Sequence, residues 1–276
     1  MIRILATCAL AILPGPLLAD RVLSLGGSVT EIIHELGEVD RLVGRDSTST
    51  YPPDVTALPD VGYIRQLSPE GVLSVNPDLI ISETGAGPVE AVDLLRQAAV
   101  PFVEVTDGYT EDAVIQKIRD VAAALSVPDK GEALAASVAA DLQAARDAVD
   151  PSDRPRVLFI LSTAGGRITA AGADTSAAAI IEMSGGVNAV EGVSGYKQLS
   201  DEAILRAAPD VILMMDRTAD HAITNDELFT HPALASTSAA RTQSVVRMDG
   251  LLLLGFGPRV GEAVRTLAVA LADAES

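Results

Sequence analysis

Three short blocks occur twice in this chain, in the same order. Ile32-Ile33, in a segment ending at Gly37, is matched by Ile180-Ile181 before Gly185-Gly186. Gly62-Tyr63-Ile64-Arg65-Gln66-Leu67-Ser68-Pro69-Glu70 is matched by Gly195-Tyr196-Lys197-Gln198-Leu199-Ser200-Asp201-Glu202, one residue shorter. Pro77-Asp78-Leu79-Ile80 is matched by Pro209-Asp210-Val211-Ile212. One block can recur by chance in a chain so rich in Ala and Leu. Three in order point to two similar lobes, and 276 residues are enough to give each lobe its own core.

Within each lobe, short apolar runs alternate with helical periods. Arg21 to Leu25 reads as a strand and Gly26-Gly27-Ser28 as a turn. Ser28 and Glu31 have capping-box spacing at the start of a helix carrying Ile32, Ile33 and Leu36. Leu42-Val43-Gly44 reads as a second strand, and Pro52, Pro53 and Pro59 hold a loop until Gly62-Tyr63. Ser68-Pro69-Glu70 opens a helix with Pro at its first position. Leu79 to Ile81 and Phe102 to Val105 are further strands around a helix over 90–99. Repeated β–α alternation predicts a parallel sheet. Aromatics are 3% and Trp is absent, so Val, Ile, Leu and Ala must build the cores. That suits helices packed on buried strands.

Residues 111–149 break the alternation. Two Ala- and Leu-rich helical stretches meet near Pro128, and Pro151 and Pro155 end them before a second series opens at Val157. The predicted architecture is α/β: two similar lobes with central, mostly parallel sheets, joined by a long rigid helix, with a ligand cleft between them. The predicted boundaries are 20–125, a joining helix over 126–150, and 151–276.

Residues 1–19 read as a cleavable signal peptide. Arg3 is the n-region charge, Ile4 to Leu13 the apolar run, and Ala19 a small residue at the cleavage point. The run is too short to span a bilayer. Cys8, the one cysteine, falls inside it, so the mature chain has no disulfide, thiolate metal site or thiol nucleophile. The net charge is −18, and losing Arg3 makes it −19. Such a surface excludes nucleic acid as a natural partner and favours a basic one.

The signal peptide, paired lobes and joining helix resemble the binding proteins of ABC importers that serve corrinoids, ferric siderophores and haem. Within that class, the segment Leu58 to Leu73, centred on Tyr63-Ile64-Arg65, resembles the periplasmic haem-binding proteins. So do Gly26 to Glu31, Gly195 to Ser200 and Leu254-Gly-Phe-Gly-Pro-Arg259. The resemblance implies a periplasmic monomer that captures ferric haem and hands it to a membrane permease dimer.

It also implies roles for residues. Tyr63 would be the axial ligand of the haem iron; phenolate is a hard donor that suits Fe(III). A free phenol titrates near pH 10, about three units above neutrality. Arg65, two residues on in an extended loop, could stabilise the phenolate. Two haem propionates need cations or helix N-termini, and Arg65, Arg167, Arg217, Ser28 and Thr30 are the candidates. Arg259 lies in a family-like motif and fits a structural role equally well. Glu70 and Glu202, one per lobe, would dock on arginines of the permease subunits, although each also favours its own helix N-terminus. Of the three histidines, His221 is the best placed for a sixth ligand. A surface role suits it better, and His34 and His231 read as structural. Tyr196 repeats Tyr63 without the matching arginine and reads as structural.

The alternatives are a ferric siderophore or corrinoid as cargo, or a secreted α/β enzyme. Ala164-Gly165-Gly166-Arg167 and Gly185-Gly186 are too short for a phosphate loop, a dinucleotide fingerprint or a nucleophile elbow.

Overall fold

The computed structural model describes residues 19–150, 152, 154–216 and 223–274. Residues 1–18 of the expected signal peptide, Arg217 and His221 lie outside them.

The first lobe runs β1 (Val22–Leu25), α1 (Gly27–Glu35), β2 (Leu42–Arg45), α2 (Pro69–Leu73), β3 (Leu79–Glu83), α3 (Val89–Gln97) and β4 (Phe102–Val105). Two helices follow, α4 (Glu111–Ala124) and α5 (Pro128–Asp147). The second lobe begins with β5 (Arg156–Ser162), β6 (Thr169–Ala171), α6 (Ser176–Met183), β7 (Val187–Asn188), β8 (Tyr196–Gln198), α7 (Asp201–Ala207) and β9 (Val211–Met215). It continues through α8 (Asn225–Leu228), α9 (Pro232–Ala235), α10 (Ser238–Thr242), β10 (Val245–Met248), α11 (Gly250–Leu254) and α12 (Val260–Ala274).

The first sheet is wholly parallel, in the order β2-β1-β3-β4. The second contains the same parallel arrangement, β7-β5-β9-β10. The Pro-Asp blocks explain why. Val22 pairs with Leu79 as Val157 pairs with Val211. Asp78 Oδ1 accepts from the Arg21 backbone N–H at 3.0 Å, and Asp210 Oδ2 accepts from that of Arg156 at 3.0 Å. Both aspartates start the central strand and tie down the start of its neighbour, where the ladder leaves a backbone donor free. Residues 163–175 have no counterpart in the first lobe. They add β6, which runs antiparallel to β5 and carries β8 on its far side.

The core follows from the strand period. Val22 faces inward while Leu23 and Leu25 face the outer helices. The inner faces of both sheets belong to one apolar cluster. It runs from Val22 and Ile81 through Ile118 and Val138 to Phe159, Val211 and Leu267. The helix α5 packs against α4 on one side and α12 on the other. Its glycine, Gly131, permits the first contact: a Cβ there would lie 2.4 Å from the Ala122 Cβ. The lobes are therefore fused through a shared core rather than tethered by a hinge strand.

The capping box expected at Ser28 and Glu31 does not form. Gly26 occupies the cap of α1 with no side-chain bond, and φ of 111° there requires glycine. Ser28 and Glu31 are buried and bond elsewhere.

Candidate ligand-binding cleft

Tyr63 projects from a clamped loop. The long connection after β2 is pinned by Arg45, which is 9% exposed. Its guanidinium donates to Val55 O at 3.1 Å, Thr56 O at 3.3 Å and Asp60 Oδ2 at 3.4 Å. The Gly62 N–H donates to Asp60 Oδ1 at 2.8 Å, and Gly62 takes φ of 100°. Beyond the tyrosine, Ile64 and Leu67 are buried in the outer core of the first lobe. Burial of two such side chains is worth about 1.5–3 kcal/mol each. Gly87 bonds this stretch at both ends, donating to Ile64 O at 2.9 Å and accepting from Leu67 N–H at 2.7 Å. With its neighbours fixed, Tyr63 is 42% exposed. Among the described residues its phenol has no hydrogen-bond partner, and the exposed Arg65 guanidinium has neither a hydrogen bond nor an ion pair.

The carboxyl ends of the two sheets meet beside this loop. Gly27, just past β1, abuts Leu251 of α11, just past β10. Tyr109, in the loop after β4, packs edge-on against Phe256 of the second lobe, centroids 5.4 Å apart. Phe256 is 2% exposed and held at φ of 47°, a left-handed backbone that costs a non-glycine residue about 1–3 kcal/mol. The half-buried Tyr109 hydroxyl is pushed up by burial, then by Asp107 and Tyr196, while Arg65 opposes them. Arg65 of one lobe and Tyr196 of the other therefore lie within electrostatic reach of one phenol.

Under this floor is a buried ionic cluster. Lys117 of α4 is 0% exposed. Its ammonium donates to Ser28 Oγ at 3.0 Å, to Asp107 Oδ1 at 3.0 Å and to Gly255 O of the second lobe at 3.5 Å. It stands 4.0 Å from Glu83. The Ser28 hydroxyl donates to Glu83, as does its N–H at 3.2 Å. Burial pushes the Glu83 carboxyl up, against the pull of Lys117 and Ser28.

Ser28 and Thr30 thus do not present hydroxyls to a ligand. Ser28 is enclosed in this cluster. Thr30, also 0% exposed, bonds Ser24 Oγ and Ser49 Oγ at 2.7 Å each. Arg167 follows a tight turn past β5, with Gly165 and Gly166 both at positive φ; it is exposed, and its side chain has no partner among the described residues. Tyr196 is half-buried; its hydroxyl bonds Ser176 Oγ at 3.2 Å and its ring meets Phe159 edge-on. His34 lies on α1 beside Glu35, and His231 caps α9 with Nε2 3.8 Å from Asp201. Glu70 and Glu202 are exposed in the first turns of α2 and α7.

Sequence reading passed over Lys117, Arg45 and Tyr109. Lys117 had a signal: it falls between Val114, Ile118 and Val121 on the apolar face of α4, where a charge needs a buried partner.

Among solved structures, the apo periplasmic heme-binding protein RhuT from Roseiflexus sp. RS-1 is similar, with a TM-score of 0.88 and 41% identity over 94% of this chain and 100% of that one. The periplasmic heme-binding protein BhuT in complex with two hemes is similar at 0.87 and 41%, over 93% of this chain and 99% of that one. Among sequence relatives, the vitamin B12-binding protein of Vibrio cholerae is 28% identical over 100% of this chain and 99% of its own length. A model of the periplasmic binding protein family matches residues 22–251, and with its two-lobe fold and the cleft between the lobes the chain belongs to that family.

Proposed function

We propose that this chain is the periplasmic receptor of an ABC importer and that its cargo is ferric haem. What supports the reading is Tyr63, an exposed tyrosine without a hydrogen-bond partner among the described residues, held on a loop clamped by Arg45 and Gly87. A phenolate fits ferric iron, and Arg65 two residues away supplies a cation for the phenolate or a propionate. Arg167 stands ready on the second lobe, and Arg217 is assigned to the same role from sequence. Heme-binding relatives at 41% identity support the cargo. Glu70 and Glu202 dock the loaded protein on a permease dimer, and the leader is cleaved near Ala19 on export.

The test is a hemin titration of the mature protein, followed by absorbance, beside Tyr63→Ala. Saturable binding with phenolate charge-transfer bands, lost in the variant, supports the reading; no saturable change in wild type rejects it. A corrinoid is the second reading, favoured by the vitamin B12-binding relatives. Under that reading cobalamin saturates the protein, and Tyr63→Ala leaves its affinity unchanged.

A further inference from the structure

The two docking helices share more than a glutamate. The helix α2 reads Glu70-Gly71-Val72-Leu73 where α7 reads Glu202-Ala203-Ile204-Leu205. Val72 and Ile204 are each 0% exposed and anchor their helices to the outer cores. The next residue in each, a leucine, falls three positions after the glutamate, so leucine and carboxylate share a helix face. Leu205 is 50% exposed, and Leu73 is partly buried. The first lobe adds a second aliphatic at this corner. Leu67 N–H donates to Gly87 O at 2.7 Å; Glu70 comes three residues after Leu67, and Val89 two after Gly87. Val89 is 67% exposed.

A single exposed aliphatic means little. Here each glutamate has an exposed aliphatic near it: Leu205 on the same helix in the second lobe, and Val89 at the start of α3, which packs on α2, in the first. The helices α2 and α7 lead straight back into the central strand of their sheet, β3 or β9. Their first turns therefore lie at the carboxyl edges of the sheets, flanking the cleft. The Glu202 backbone N–H and the Ser200 hydroxyl hold the Glu202 carboxyl below the usual carboxylate range. On a chain with a net charge of −18, the complement is cationic.

We propose that each lobe carries a two-part docking patch, Glu70 with Leu73 and Val89 on one and Glu202 with Leu205 on the other. Its partner is a two-fold symmetric membrane permease whose subunits each present a cationic side chain beside an apolar surface. This rests on the reading of Glu70 and Glu202 as docking residues. Two matched patches on one chain require two equivalent partner surfaces, which a symmetric dimer provides. The division of labour follows from the chemistry. Rim charges set the association rate and its salt dependence, and desolvated apolar contacts set the dissociation rate.

The test is binding of the full mature chain to its own importer's permease–ATPase complex in lipid nanodiscs, read as association and dissociation rates across salt concentrations. Leu205→Ser and Val89→Ser should each speed dissociation by about fivefold to thirtyfold. Association, salt dependence, melting temperature and the cargo spectrum should stay at wild-type values, and Leu205→Ile should restore slow dissociation. Glu202→Gln should instead slow association and flatten its salt dependence. Wild-type dissociation in both serine variants, with Glu70→Gln and Glu202→Gln impaired, overturns the apolar patch and leaves the glutamate docking standing. Wild-type kinetics in the glutamine variants overturn the docking reading and the patch together.

Discussion

Arg259 of the second lobe donates to the buried carboxylate of Glu31 in α1, and its guanidinium lies over the Tyr51 ring, 3.6 Å from the centroid. One side chain thus joins the first helix, the loop that leads to Tyr63, and the turn entering α12. Glu31 is 3% exposed, and burial pushes its carboxyl up from 4.5 to about 7, against the pull of Arg259 and with a further push from Asp249 and Glu262.

That shift has a pH signature. Between pH 4.5 and about 7 the unfolded chain has released a proton that folded Glu31 still holds. Stability from this group therefore falls as pH rises through that window, by at most about 1.4 kcal/mol per pH unit, and levels off above it. In Arg259→Gln the carboxyl loses its bonds and its countercharge, so the decline should continue to higher pH. Urea unfolding of both proteins from pH 5 to 8 measures this. Parallel stability–pH curves would contradict it.

Lys117→Met tests the second inter-lobe cluster. Removing one member of a buried ion pair costs about 3–5 kcal/mol, because the remaining charge has no compensation. The stranded group is Glu83, whose carboxyl is already raised by burial and would lose its main opposing charge. Above the ordinary carboxylate range the unfolded chain gives up this proton and the variant's folded state does not. The loss relative to wild type should therefore grow as pH rises. Urea midpoints at pH 5 and pH 8 give the comparison, and an equal loss at both would mean that packing alone was disturbed.

Gly131→Leu should destabilise by about 1–3 kcal/mol by overpacking the contact between α5 and α4, where the Ala122 Cβ already fills the space a side chain would need. Since α5 also carries α12, whose Arg265 pairs with Asp141 at 3.0 Å, the lobes should loosen together. A single cooperative thermal transition at lower temperature is the expected result. Two separate transitions would show that the lobes fold independently of their shared core.

The repeat was legible because its blocks do local work. Pro77-Asp78 and Pro209-Asp210 each begin a central strand and bond the strand beside it, so similar short sequences mark similar places. The antiparallel arm was not legible. Thr169-Ala170-Ala171 and Tyr196-Lys197-Gln198 are too short and too mixed to show a strand period. Glu31 was misread for a different reason. Its spacing from Ser28 suits a cap, but its partner Arg259 lies 228 residues away, and spacing says nothing about such a contact. The same limit hid Lys117 as a bridge to Gly255 and Tyr109 as the neighbour of Phe256. The Tyr63 loop was readable through its motif, and its clamp by Arg45 was not.

The last prediction concerns Arg65, whose guanidinium is exposed and free of internal bonds in the described structure. A cation there can act on ferric haem in two ways, by stabilising the iron-bound phenolate or by pairing with a propionate. Both strengthen binding, so Arg65→Ala should weaken hemin affinity by about tenfold, and Arg65→Glu by more, since it sets a like charge against the same groups. The spectrum separates the two. If Arg65 acts on the phenolate, the charge-transfer bands should shift in Arg65→Ala, and Arg65→Lys should restore them only in part, because an ammonium lacks the planar fork of a guanidinium. If it acts on a propionate, the bands should stay in place while affinity falls, and hemin dimethyl ester should bind wild type and Arg65→Ala equally. Unchanged affinity for hemin in Arg65→Ala would remove Arg65 from the site and leave the propionates to cations on the second lobe.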